Sequence, residues 1–181
     1  ATDDLTITAN DGNVVFTGVA TIGAGDLTIA SSALAVVTGG IAGSTGSVAF
    51  TTATRTDVDG AIALTGSGVV QLDAATISIA AGITTVAGLI DFDGAVIVNT
   101  GGATAIGTGA GGGNVVFDTT LALAAATDDL TITANDGNVV FTGVATIGQG
   151  DLTIASSEVA VVTGGIAGST GDVTFTTATR T

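Results

Sequence analysis

The sequence predicts an all-β chain, a right-handed parallel β-solenoid (β-helix) of about 20–22 residues per turn and roughly eight to nine turns. Three observations carry that expectation. Residues 1–56 return as residues 126–181 with five changes. A shorter phrase, apolar–polar–apolar, recurs at an interval of about 21 residues. A glycine stands four residues ahead of nearly every recurrence.

Long-range repetition sets the organisation, because a repeat unit that cannot bury its own apolar face must stack on its neighbours. The five changes turn Ala24, Ala33, Leu34, Ser47 and Ala49 into Gln149, Glu158, Val159, Asp172 and Thr174. The chain reads as one solenoid segment over 1–181, in which 1–125 is one long unit and 126–181 the start of the next. Without an initiator Met, it is expected to be a window onto a longer array. The changes at 24 and 47 are of the kind a solvated position tolerates.

The shorter period is carried by Ile7, Ile29, Phe50, Leu72 and Phe92, whose positions differ by 22, 21, 22 and 20 in succession. Two positions before each stand Leu5, Leu27, Val48, Val70 and Ile90, all aliphatic. Between the pairs are Thr6, Thr28, Ala49, Gln71 and Asp91, and after them Thr8, Ala30, Thr51, Asp73 and Asp93. That alternation is the pattern of a strand with one buried face. Asp3, Gly25, Gly46, Gly68 and Gly88 precede the strands as corners. "GDLTIAS", "GSVAFTT", "GVVQLDA" and "GLIDFDG" are therefore variants of one phrase. "GNVVFTG" at 12–18, "GAIALTG" at 60–66, "ISI" at 77–79 and "GAVIVNT" at 94–100 add further short strands to each turn.

Strands that return to one place at this interval stack in parallel about 4.8 Å apart, so six turns per unit would advance about 29 Å. The interval from Phe92 to Ile132 leaves the sixth turn open. Its best phrase, "GNVVFDT" with Phe117, divides that interval unevenly, into 25 and 15. An antiparallel sandwich would also have short strands but no reason for the regular recurrence. An outer-membrane barrel needs longer strands and aromatic girdles, against six Phe and no Trp or Tyr.

Composition excludes several functions. Fifteen of the sixteen acids are Asp, the bases are Arg55 and Arg180, and the net charge is −14. Nucleic-acid binding, which needs clustered Lys or Arg, is not expected. No run of eighteen apolar residues supports a spanning helix, so membrane insertion by this segment is not expected either. Cys, His, Lys, Met, Pro, Trp and Tyr are absent, which removes disulfides, thiolate metal sites and most general acids and bases.

The phrases "GDLTIASS", "GGNVVFDTT", "GAIALTGSG" and "GAVIVNTGG" resemble those of the giant secreted β-helical proteins of bacteria, the filamentous-haemagglutinin-like and autotransporter adhesins. The likeness covers essentially the whole chain. It implies secretion, cell-surface display and a structural role as stalk or adhesive filament; from the residues themselves, no catalytic group and no tightly bound cofactor is expected. Partners would be neighbouring repeats of the same chain, with self-association into fibres as a further option. Aromatic and Arg anchors dominate most contacts, and their scarcity argues against this window being the adhesive part.

Two motifs bear on calcium. "DVDG", with Asp57 and Asp59, and "DFDG", with Asp91 and Asp93, begin like a calcium loop but lack the later Glu of an EF-hand. Asp-Gly is equally a turn signal. "GAGD" at 23–26 and "GQGD" at 148–151 have the wrong spacing for calcium-binding nonapeptides. Loose Ca²⁺ association with the acidic surface stays open. Asp73, Asp91 and Asp93 fall on neighbouring outward columns, which keeps a polysaccharide-active β-helix enzyme as the alternative. Arg55, in "TTATRT", is placed to pair with Asp57 or Asp59. A Thr-x-Thr ice-binding face would need Thr on every turn, and the columns break after two.

Overall fold

A computed structural model describes residues 3–156, 158–168 and 170–176. The described residues form 22 strands and no helix, and every strand pairing is parallel. They wind as a β-solenoid of eight turns with three faces, eight strands stacked on each.

The first face starts at Leu5–Thr8 and continues through the first halves of Leu27–Val37 and Val48–Val58. Above these lie Val70–Asp73, Ile90–Phe92, Val115–Phe117, Asn138–Phe141 and Val159–Val162. The second face starts at Asn13–Phe16, takes the second halves of the same two long strands, and continues through Thr76–Ile79, Ala95–Val98, Leu121–Leu123, Ala145–Gly148 and Ile166–Gly168. Because Leu27–Val37 and Val48–Val58 run unbroken around a corner, these two faces make one 14-stranded sheet. The third face is a separate 8-stranded sheet from Ala20–Gly23 to Val173–Phe175.

The predicted inward column is present. Ile7, Ile29, Phe50, Leu72 and Phe92 pair in succession along the first face. Ile29, Phe50, Leu72 and Phe92 are essentially inaccessible to solvent. Full burial of each such side chain is worth about 1.5–3 kcal/mol, and stacking turns converts many such gains into one continuous interior. The corners must let backbones approach to the strand spacing. A Cβ on Gly46, Gly68 or Gly88 would lie 1.9, 2.1 or 1.8 Å from the carbonyl oxygen of the corner glycine one turn below. Only glycine fits that column, which is why it was visible in the sequence.

The sixth turn, left open by the sequence, is filled by the strand that carries Phe117. Phe92 pairs with Phe117, and Phe117 with Phe141. Ile132 is not in this column; it stands on the third face between Ile106 and Ile154. The spacings 25 and 24 between the three phenylalanines exceed the earlier ones, because longer corners at residues 99–102, 109–114 and 124–128 join these strands. The unit therefore spans five and two-thirds turns rather than six. Leu5–Thr8 is on the first face, and its copy within Asp129–Thr133 is on the third.

The same letters nonetheless pack alike on different faces. Gly43, on the third face, faces the interior, where an added Cβ would meet Ile22 Cγ1 and Leu64 Cδ2, both at 2.8 Å. Its copy Gly168, on the second face, sits 2.7 Å from Ile147 Cγ1 by the same measure. Each glycine leaves room for a longer neighbour in the adjoining turn. Gly43→Ala overfills that space and is expected to lower stability by about 1–3 kcal/mol. A shift in the urea midpoint at constant slope would register it.

Candidate functional site

Outward columns of the first face read Thr6, Thr28, Ala49, Gln71, Asp91, Val116, Val140 and Val161 along the middle of the strands. One position later, Asp73, Asp93 and Asp118 follow Leu72, Phe92 and Phe117. Backbone stacking holds these positions in register: Asp93 N–H donates to Leu72 O at 3.0 Å and Asp118 N–H to Phe92 O at 3.1 Å.

This brings Asp91, Asp93 and Asp118 together, with one oxygen of each within 4.8 Å of the others. Asp91 and Asp93 are half-buried and Asp118 is exposed. Burial pushes the Asp91 carboxyl up from 3.8 to about 6, with the charges of Asp93 and Asp118 adding to the rise. Asp118 is raised as well, by desolvation first and then by its hydrogen bond with Asp93 and that residue's charge; a hydrogen bond with Thr142 opposes the shift. Gln71 Nε2 donates to Asp93 Oδ2 at 3.1 Å, supplying a neutral partner from the turn below.

The sequence singled out Asp91 and Asp93 but not Asp118, because Phe117 had no assigned place. The signal was present in the parallel between "DFD" at 91–93 and "VFD" at 116–118. Asp73 precedes Asp93 in the column without joining the three. Asp57 and Asp59 are elsewhere: Asp57 is on the second face opposite Ser78, and Asp59 follows at the corner. The Asp57 carboxyl accepts from Arg55 Nε, the ion pair expected from sequence. With Arg55 half exposed, such a pair contributes about 0–1 kcal/mol. Arg180 lies outside the described residues. In both Asp-x-Asp-Gly motifs the glycine is a site of close approach, since a Cβ would lie 2.4 Å from Thr38 O at Gly60 and 1.7 Å from Ala74 O at Gly94.

A raised carboxyl makes stability depend on pH. Folded Asp91 binds its proton below about 6, whereas the unfolded group releases it near its ordinary value. Its stabilising contribution is therefore fully present below about pH 4 and is lost as pH rises through 6. The unfolding temperature is expected to fall between pH 4 and 6.5, and Asp91→Asn to flatten that fall and raise stability at pH 7. A series of melts across this range checks both.

Other aspartates act on the backbone. Asp4 Oδ1 accepts Asp26 N–H at 3.0 Å, and Asp26 Oδ1 accepts Ser47 N–H at 2.7 Å. In the second copy, Asp129 Oδ1 accepts Asp151 N–H at 3.0 Å and Asp151 Oδ1 accepts Asp172 N–H at 2.9 Å. These side chains tie successive turns together at a corner. Asp128 is more deeply placed: its Oδ1 accepts from the backbone N–H of Thr100 at 3.0 Å and of Gly101 at 2.8 Å, and its Oδ2 from Ala125 N–H at 2.6 Å. It is fully buried.

A groove of 440 Å³ lies on the third face, with Ala63, Thr65, Thr84, Val86, Gly107 and Thr133 among its lining residues. No ionisable side chain lines it, and the three clustered carboxyls are on another face. The oxygen separations of Asp91, Asp93 and Asp118 are compatible with a shared hard cation, whose oxygen ligands sit about 2.3–2.6 Å from Ca²⁺. The chain matches no protein-family model, and comparisons with curated proteins and with solved structures give no match.

Proposed function

We propose that the chain is a segment of a structural stalk or filament, built to hold length rather than to perform chemistry. One observation carries this reading. The dry interior runs without interruption across the boundary between the two copies, where Val96, Leu121 and Ala145 stack in succession. A unit whose end continues the core of the next one lengthens a single rod, and nearest-neighbour contacts make the rod more stable as units are added. The resemblance of its phrases to those of bacterial β-helical adhesins supports extracellular or cell-surface display of such a rod. Its partners are then neighbouring repeats, with fibre self-association as an extension.

The polysaccharide-enzyme reading is less favoured, because the clustered carboxyls do not line the groove on the third face. Loose Ca²⁺ binding at Asp91, Asp93 and Asp118 is compatible with the stalk, and calcium would neutralise part of its acidic surface.

Lengthening the full chain by one and two further units tests the proposal. Small-angle scattering should report a rod that grows by about 27 Å per unit, the rise of five and two-thirds turns at the strand spacing. Growth as jointed beads would overturn it. Hydrolysis of a polysaccharide that Asp91→Ala and Asp118→Ala abolish would favour the enzyme. Antibodies against the chain that fail to label intact source cells would remove the surface assignment.

A further inference from the structure

We infer that a tandem array of this unit turns by one face at every unit, so that each surface feature is displayed in three rows around the filament instead of along one side. The inference rests on the stalk reading for the existence of an array, but its geometry is contained in this chain.

Each element of the first copy has its twin one face back. Leu5–Thr8 pairs along the first face, and its copy in Asp129–Thr133 along the third. Asn13–Phe16 is on the second face and Asn138–Phe141 on the first. Ala20–Gly23 is on the third and Ala145–Gly148 on the second. The later strands keep the same offset: 34–37 and Ile41–Gly43 are on the second and third faces, while Val159–Val162 and Ile166–Gly168 are on the first and second. Thus the shift arises before residue 129 and is neither corrected nor increased within the second copy.

A shift of one face in three closes after three units. Three times five and two-thirds turns is seventeen, so three units return every feature to its starting face. Seventeen turns rise about 82 Å. A lateral partner that recognises one face of a unit, including a second filament alongside, meets that face from the same direction only at every third unit. A partner able to engage all three sides meets it at intervals of about 27 Å. The acidic cluster of Asp91, Asp93 and Asp118, which one unit places on its first face, would follow the same three rows.

The shift is tested in the full chain by cysteine pairs, since the protein has no native Cys. Val116 pairs with Val140, and Ala105 with Thr131, as outward neighbours on adjoining turns. Val116→Cys with Val140→Cys, and Ala105→Cys with Thr131→Cys, should form disulfides under mild oxidation. Val116→Cys with Thr131→Cys should not. A unit of six whole turns would instead put Thr131 over Val116, and efficient crosslinking of that pair would overturn the inference. For the array, the chain extended by further units is labelled with gold at Ala24→Cys, Gln149→Cys and each later equivalent. These positions are exposed and already differ between copies. Electron cryomicroscopy should find the labels in three rows, each row repeating at every third unit; a single row repeating at every unit would overturn it. Native material made of short stacked chains would defeat the stalk reading while leaving the crosslinking result unchanged.

Discussion

Phe117→Ala is expected to lower the stability of the chain by about 3–5 kcal/mol, the usual cost of emptying a fully buried aromatic position. Phe117 is the middle ring of a stack, with its centroid 4.9 Å from Phe92 at an interplanar angle of 18° and 5.1 Å from Phe141 at 7°. Both stacking contacts vanish with the ring, and the turns above and below cannot close the space, because their separation is fixed by backbone hydrogen bonds. The twins Phe16 and Phe141 provide an internal control. Phe141 is buried in the stack, while Phe16 is only partly buried in the first turn and lies 6.4 Å from Phe50 across the interior. Phe141→Ala should therefore cost more than Phe16→Ala despite identical flanking sequence. Urea unfolding combined with hydrogen exchange, which resolves local opening along a repeat array, measures both. A loss below about 1 kcal/mol at Phe117 would contradict the stacked core.

The second large effect is expected at Asp128. Asp128→Ala removes the acceptor from three backbone N–H groups at a half-buried corner, and each lost hydrogen bond costs about 0.5–1.5 kcal/mol net. The loss should reach about 2–4 kcal/mol. Asp128→Asn should fall between: its carbonyl oxygen can keep the Thr100 and Gly101 bonds, but its amide would face Ala125 N–H donor to donor. Asp3 occupies the same place in the first copy and is exposed, so Asp3→Ala should change stability by no more than about 0.5 kcal/mol. Equal effects at Asp3 and Asp128 would show that the corner is not held by this side chain. Thermal melts of the three variants decide it.

Much of the fold was legible because burial and close approach restrict residue type. The column from Ile7 to Phe92 and the glycines ahead of it could be read directly, since a dry interior demands apolar side chains and backbones stacked about 4.8 Å apart exclude a Cβ. Phe117 was harder, because its longer corners break the interval on which the reading relied. Asp118 was lost with it, and so the acidic cluster was recognised only in Asp91 and Asp93. Asp57 and Asp59 have the same local motif but lie on another face, where Arg55 engages Asp57. Asp128 gave no signal at all: its twin Asp3 has the same following sequence and an exposed position, and two of the three donors to Asp128 come from the distant loop at 99–102, the third from Ala125.

By itself, the sequence determined the local backbone. Asn10 and Asn135 both adopt the left-handed conformation, at φ 47° and 44°; Gly23 and Gly148 do so at 60° and 59°, and Gly40 and Gly165 at 92° and 90°. The two copies therefore turn alike at these positions, although Leu27–Val37 is one strand in the first copy and its counterpart is divided into Leu152–Ser156 and Val159–Val162 in the second. Tertiary structure alone decided which face each copy occupies. A strand can pair with any of the three parallel edges, because all present the same backbone groups and the same inward–outward alternation. The choice among them depends on how much of a turn the preceding chain has used, and a short stretch carries no record of that sum.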